Sequence, residues 1–447
     1  MKIREILFFF IYLLTFSTAG AQDEKTETER IAASVSALES AVANLSRFKV
    51  TSFIQTQYQY AQWGADNYNF MLPNRLNAVE AAENQGYGRF GIRRGRIKIT
   101  YEAGLMQAVF QPDITQTGIV IRDAFFTMKH PLFRTNLLRV GIFTRPFGYE
   151  LSYSPALSES PERSRIFQTL FPDERDVGVM MLLQPPKSSP LKGLKAEGGL
   201  FAGNGISSQI SNRMDFIGRL SMVQQLVPGV VLGAGVSGYI GGVLQNDESV
   251  YVMKDGFFQL REPPMKDNIT KYAKRQYFGV DFQMQMSSSF GLTTLKAEYI
   301  TGEHPFAGGV NAKLTGLRTG PVFMRKLNGG YIVLAQDVCA SRFTLVAKID
   351  RFDPNTEIAG NEIAKTTTSS TQIMTGSGDI SRTTIGLGLH WHIHPSVRFT
   401  AYYEIVKNEI TANLKDIKSD STGKITIYGY ENQRKANVLT LRLQYMF

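Results

Sequence analysis

Residues 385–393 read Ile-Gly-Leu-Gly-Leu-His-Trp-His-Ile. Ile385, Leu387, Leu389, Trp391 and Ile393 are apolar, and Gly386, Gly388, His390 and His392 lie between them. A period of two belongs to a strand with one face in an apolar medium and the other in a polar one. The next segment repeats it, with Val397, Phe399, Ala401, Tyr403 and Ile405 against Arg398, Thr400, Tyr402 and Glu404. Both ends of the remaining chain agree. Phe48, Val50, Ile54, Tyr58 and Tyr60 are set among Lys49, Thr51, Gln55, Gln57 and Gln59. Leu439, Leu441, Leu443, Tyr445 and Phe447 alternate with Thr440, Arg442 and Gln444. Alternating segments of about ten residues, parted by turn residues, are the signature of a transmembrane β-barrel.

Extending this reading predicts sixteen strands, starting near Phe48, Phe90, Leu105, Ile119, Leu137, Val177, Leu194, Asp215, Val230, Tyr277, Gly291, Tyr331, Arg342, Thr383, Val397 and Asn437. Short and long links alternate between them, the shorter links after Gln111 and Ala202 falling on the long-loop side. Outer-membrane barrels combine short periplasmic turns with longer extracellular loops, so both chain ends are expected in the periplasm. A soluble sandwich of two sheets needs a shared apolar core. It does not account for polar faces on nearly every strand, or for loop lengths sorted by parity.

Composition supports an all-β exported chain of 447 residues. Mean hydropathy is −0.14, too polar for a bundle of membrane helices. The single cysteine excludes an internal disulfide framework and multi-cysteine metal sites, and five histidines leave little for a metalloenzyme. Lys2 and Arg4 precede an apolar run from Ile6 to Phe16 that ends in Ala19-Gly20-Ala21, so residues 1–21 are expected to be a cleavable signal peptide. Its removal takes Lys2, Arg4 and Glu5 and lowers the formal charge of +10 by one. In the segment 22–47, Ile31, Val35, Leu38, Val42 and Leu45 are spaced as a coiled-coil seam. Such a narrow stripe needs a partner helix, or the helix folds back on its own domain. Residues 48–447 are left for the barrel.

The middle of the chain resembles the phosphate-selective porin O and P family. The resemblance rests on Arg139-Val140-Gly141-Ile142-Phe143-Thr144-Arg145-Pro146-Phe147-Gly148 and on Leu170-Phe171-Pro172-Asp173-Glu174-Arg175-Asp176-Val177-Gly178-Val179. Arg93-Arg94-Gly95-Arg96-Ile97-Lys98 and Arg122-Asp123-Ala124-Phe125 are similar to that family as well. The resemblance implies a sixteen-stranded porin, usually a homotrimer in outer-membrane lipid, with its third long loop folded inward. It also implies that Phe447 is read by the barrel-assembly machinery, and that small anions such as phosphate are the solutes. The loop here, 146–176, departs from the lysine-lined constriction of the best-known members. It carries Arg163, Arg165 and Arg175 among Glu150, Glu159, Glu162, Asp173, Glu174 and Asp176, and no lysine.

A charge facing lipid costs about 2–4 kcal/mol at the midplane, so basic strand residues are expected to point inward. Arg94, Arg96 and Lys98 then form a lumen column with steps of about 6.7 Å. Arg139, Arg145, Arg219 and Arg442 are the other expected selectivity residues, with Lys195 beside Glu197. Fixed cations in a narrow channel favour anions. They can instead pair with lumen carboxylates such as Glu102, Glu197, Asp281, Glu298 and Glu404, which leaves a nearly neutral wall. His390, His392 and His394 are expected on one lumen face, as polar wall residues before metal ligands, because no carboxylate or cysteine is placed with them. No nucleophile motif, phosphate-binding loop or dinucleotide fingerprint occurs, so neither an enzyme nor a cofactor is expected. The dispersed basic residues do not suggest nucleic acid. The expectation is a porin for passive diffusion of small hydrophilic solutes with anion preference. A loop-plugged barrel serving adhesion or attachment is the alternative.

Overall fold

The structure is a computed structural model that describes residues 34–36, 38, 42, 44–62, 86–172, 174–206, 212–244, 249–261, 272–306, 321–339, 341–418, 425–427 and 429–447. Residues 1–21 and Ile31 lie outside the described residues. In the N-terminal unit, Val35, Leu38, Val42 and Leu45 are helical and each more than half exposed.

The second unit, Val50–Phe447, is a closed antiparallel barrel of sixteen strands. They are β1 Phe48–Ala61, β2 Tyr87–Ala103, β3 Met106–Thr115, β4 Gly118–Lys129, β5 Leu137–Thr144, β6 Arg175–Leu183, β7 Leu194–Phe201 and β8 Asp215–Val227. The second half comprises β9 Val230–Leu244, β10 Tyr272–Ser288, β11 Gly291–Phe306, β12 Val322–Asp337, β13 Phe343–Asp353, β14 Arg382–His394, β15 Val397–Asn408 and β16 Val438–Met446. β1 pairs with β16 from Phe53↔Met446 to Ala61↔Val438, and this shuts the cylinder without leaving an edge strand. Alternation sorts the side chains. Gln55, Gln57 and Gln59 of β1 and Thr440, Arg442 and Gln444 of β16 are buried inside. Phe110, Phe126, Phe216, Ile240, Ile332 and Leu443 are exposed on the outside. Near the tight turns the outer rim is aromatic, with Phe290, Phe343, Trp391, Tyr445 and Phe447 exposed.

Several details differ from the sequence reading. β12 begins at Val322, well before Tyr331, because strands at the loop end run past the wall. There Val250–Lys254 and Phe257–Leu260 form a hairpin that pairs with β12 through Val250↔Val322 and with Gln372–Ile373 through Phe258↔Ile373. Val322, Phe323, Met324 and Leu327 are buried there, so 322–330 is packed strand and not a loop. The β3–β4 link is only Gln116 and Thr117, so the parity of short and long links fails there. Inward-facing basic residues are also not the rule throughout. Arg351 on the outer row of β13 is 65% exposed, and Lys326 of β12 is 64% exposed. Both lie toward the loop end, where the cost of an outward charge falls away.

The β5–β6 loop, from Arg145 to Glu174, enters the barrel. Its short helix α1, Arg165–Leu170, buries Ile166, Phe167 and Leu170. These join Phe147, Leu151 and Phe171 of the loop in one apolar cluster with inner-wall residues such as Tyr239, Tyr277, Ile300, Leu327 and Tyr331. Each large side chain buried this way contributes about 1.5–3 kcal/mol. Phe147 meets Tyr277 edge-on at 6.3 Å, and Phe171 lies 5.9 Å from the same ring. Gly329 of β12 makes the approach possible, since a Cβ there would stand 3.0 Å from Ile166 Cδ1 and 2.7 Å from the Arg351 carbonyl. The loop thus packs on an apolar stretch of the inner wall, and the polar stretches beside it hold the site.

Candidate functional site

The loop is pinned at its start by Glu298 of β11, which accepts the Tyr149 and Glu150 amides at 3.0 Å each. Lys296 pairs with Glu159 at 2.6 Å, and Lys348 of β13 with Glu150 at 3.0 Å. On a second stretch of wall, further round the barrel, Gln444 donates to the Ala156 carbonyl at 2.9 Å, Arg398 of β15 donates to the Ala156 and Ser158 carbonyls, and Arg442 to that of Pro161.

Glu162 is the hub of this second wall. Arg93 donates to both its oxygens at 2.7 Å, Arg442 approaches to 3.1 Å and Arg94 to 3.5 Å. Burial raises the affinity of the Glu162 carboxyl for a proton, but Arg93, Arg94 and Arg442 outweigh it and hold the group well below the ordinary carboxylate range. The hub also explains Arg93, which strict alternation places on the outer face with Ile97 and Ile99. Arg93 and Arg94 both reach the same inward carboxylate, so two consecutive residues of β2 face the lumen, as at a bulge. Their Arg-Arg doublet was the available signal.

The expected cation column is not a bare ladder. Arg96 pairs with Asp113 at 2.9 Å, Arg145 with Asp176 at 3.1 Å and Arg219 with Asp281 at 2.7 Å. Within the loop, Arg163 pairs with Glu174 at 2.9 Å, and Arg175 binds Asp123 at 3.1 Å and also Glu174. Burial opposes ionisation of Glu174, yet Arg163, Arg175 and Arg96 keep it well below the usual range. The Arg165 amide donates to Asp350 at 3.4 Å. Of the carboxylates expected as partners, Asp281 takes Arg219 and Glu197 takes Lys195 at 2.9 Å. Glu298 instead caps the loop backbone. Burial without a counter-charge is costly, so cations facing inward in sequence acquire carboxylates in space.

Lys98 and Arg139 differ. Among the described residues neither has an ion pair, and both line a cavity of about 780 Å³ on the β2–β7 wall. Arg139 is held by rings, its guanidinium 4.5 Å from the Phe125 centroid and 5.6 Å from that of Phe143, with only a 3.5 Å contact to Thr127. Gly141, with φ 129°, lets β5 pack here, because a Cβ would fall 2.3 Å from the Ala124 carbonyl.

The histidines do not converge. His390 is buried and bonds Thr400 at 2.8 Å, while His392 bonds Thr344 at 3.1 Å. The register shifts between His392 and His394, and His394 accepts the Ser396 amide in the turn. Among the described residues no three His, Cys, Asp or Glu side chains group as metal ligands.

No family model and no curated protein matches the chain. Solved structures do. OprB of Pseudomonas putida has a TM-score of 0.57 at 9% identity, over 91% of this chain and 96% of that one. The fold is that of the outer-membrane barrels. The channel DcaP of Acinetobacter baumannii has a TM-score of 0.49 at 9% identity, over 90% and 97%. An anion-selective porin from Comamonas acidovorans has a TM-score of 0.46 at 9% identity, over 90% and 99%. These likenesses are of architecture.

Proposed function

We propose that the chain is an outer-membrane porin, passing small hydrophilic solutes passively with a preference for anions. The apolar outer rows and the aromatic rim at the turn end suit lipid and its interface. On this reading the turns and both termini face the periplasm, residues 1–21 are removed on export, and Phe447 is presented to the assembly machinery. The exposed Val35-Leu38-Val42-Leu45 stripe gives protomers a common helical seam. With the family resemblance, it supports a homotrimer.

The observation that carries the reading is that Lys98 and Arg139, without an ion pair among the described residues, line a cavity of a closed barrel in which cations outnumber carboxylates. Around them, Arg96, Arg163, Arg175 and Lys195 face the same cavity against Asp123 and Glu197. A wall of this sign attracts anions and repels cations. Phosphate belongs among the anions to be tried. The full chain in a planar bilayer with a KCl gradient is expected to give steady conductance and an anion-selective reversal potential. A cation-selective potential overturns the anion preference.

A second reading has its own support. The loop is bonded to strands on facing walls, from Ser237 of β9 and Glu298 of β11 round to Gln55 of β1 and Arg93 of β2. A barrel so crossed could be a plugged scaffold for attachment, and the absence of any steady conductance would favour it.

A further inference from the structure

The outer face of the barrel is dented where four consecutive strands, β10 to β13, run in register. One outward row holds Val280, Tyr299, Gly330 and Arg351. The next row toward the turns holds Phe282, Ala297, Ile332 and Ile349. Gly330 and Ala297 are on neighbouring strands in adjacent rows, and with so little side chain at both positions a groove of about 600 Å³ opens between the larger residues. Toward the turns its sides are hydrocarbon, with Val280, Phe282, Ile332 and Ile349 all exposed. Polar groups gather only at its loop end. Arg351 is exposed, and Asp353, at 4.0 Å, also accepts the Asn355 amide. Asn328 lies on the adjacent strand one row nearer the loops, and Tyr299 stands across Gly330. Among the described residues neither of these side chains makes a hydrogen bond, and both border the groove.

We propose that this groove seats a phosphate-bearing lipid of the loop-side leaflet, its phosphate on Arg351, Asn328 and Tyr299 and one acyl chain lying over Gly330 and Ala297. The proposal rests on the membrane part of the function proposed above, and not on conduction. Height agrees with it. From the rim residue Phe343 to Arg351, β13 climbs about 20 Å at about 3.3 Å per residue and a tilt of about 40°. In an apolar band about 25 Å tall, that brings the guanidinium to the level of the far headgroups. A guanidinium there meets phosphate oxygens with paired N–H donors, and the Asn328 amide and Tyr299 hydroxyl add two more. The chain's contribution is of another kind. Lipid tails are as apolar as the wall, so a tail gains no transfer energy in the groove, but it supplies the contacts that an unfilled dent forfeits. Selectivity among lipids therefore resides at the head, and retention depends on both ends.

The test integrates the full chain into bilayers of equal phosphatidylglycerol and phosphatidylcholine with the same acyl chains, releases it in mild detergent and weighs it by native mass spectrometry. Retained phosphatidylglycerol is expected to exceed phosphatidylcholine about tenfold, and excess inorganic phosphate is expected not to displace it. Arg351→Gln should bring the ratio toward one. Ala297→Phe should expel the lipid with Arg351 still present, since the new ring fills the groove from a lipid-facing position. Gly330 is not the position to fill, because a Cβ there would strike the Glu298 carbonyl. Lys254→Gln, which removes an exposed loop-end charge away from the groove, should leave the ratio unchanged. Equal retention of the two lipids, a ratio unmoved in Arg351→Gln or equally lowered in Lys254→Gln, or displacement by inorganic phosphate overturns the proposal. So does a lipid-free oligomer that Ala297→Phe dissociates, which would assign the groove to a second copy of the chain. A chain that does not integrate into these bilayers loses the membrane reading and the lipid seat together, whereas one that integrates without lipid preference loses the seat alone.

Discussion

At the scale of single residues, the lumen is governed by who neutralises whom. Glu162 serves three guanidiniums, so Glu162→Gln leaves Arg93, Arg94 and Arg442 without their carboxylate. The expected loss of stability is on the order of 3 kcal/mol, read from denaturant unfolding. In the same variant the reversal potential moves toward stronger anion selectivity. The pH dependence has a definite sign. The folded-state pKa of Glu162 lies below the unfolded value near 4.5, so its stabilisation is complete above about pH 4.5 and is lost only as acid reaches the depressed value. The inward column Arg94-Arg96-Lys98 was legible from alternation alone. The partners were not, since Asp113 sits on another strand and Glu162 in the loop, and alternation says nothing about distance across a lumen. Arg93 escaped for a further reason, because two consecutive inward side chains break a period of two, and the Arg93-Arg94 doublet was its one mark in the sequence.

At the scale of elements, the Arg145–Glu174 loop is built as two different contacts. Its Phe147–Leu151 and Ile166–Phe171 portions are greasy and pack on β9–β12, while its Pro155–Glu162 portion is polar and bonds β1, β2, β15 and β16. Removing an apolar anchor loosens the greasy portion without releasing it, because Glu298, Lys296 and Lys348 hold that side by polar bonds as well. Phe167→Ala is expected to cost about 3–5 kcal/mol of packing, and single-channel records should show larger and noisier open currents, with the salt-bridged side still attached. Unchanged noise would mean the polar contacts alone hold the loop. The loop's length and its inward path were readable beforehand, the latter through the family resemblance. Its apolar role was not. Phe147 and Leu151 lie in irregular chain and Phe167 in a helix of only six residues, too short to show a period, so nothing in their spacing distinguishes a buried plug from a surface loop.

At the scale of the whole molecule, strand number and closure followed from parity and the matching patterns at the chain ends. Boundaries failed where β11 and β12 run on beyond the wall, because there consecutive residues such as Val322, Phe323, Met324 and Arg325 are all buried under the hairpin and no alternation is displayed. On the proposed function, assembly beyond one chain would use the helical stripe. Replacing Leu38 and Val42 by Glu is expected to reduce the proposed trimer to monomer in sedimentation equilibrium of the detergent-solubilised protein, and an undiminished trimer would assign the interface to the barrel wall. One consequence concerns biogenesis. The pairing that closes the cylinder, β1 with β16, carries groups that grip the loop: Gln55 donates to the Pro155 carbonyl, Gln444 to Ala156, and Arg442 to Pro161. The seam of the cylinder and the edge of its bore are thus built from the same side chains, and a chain lacking its final strand would have neither a finished wall nor a finished aperture.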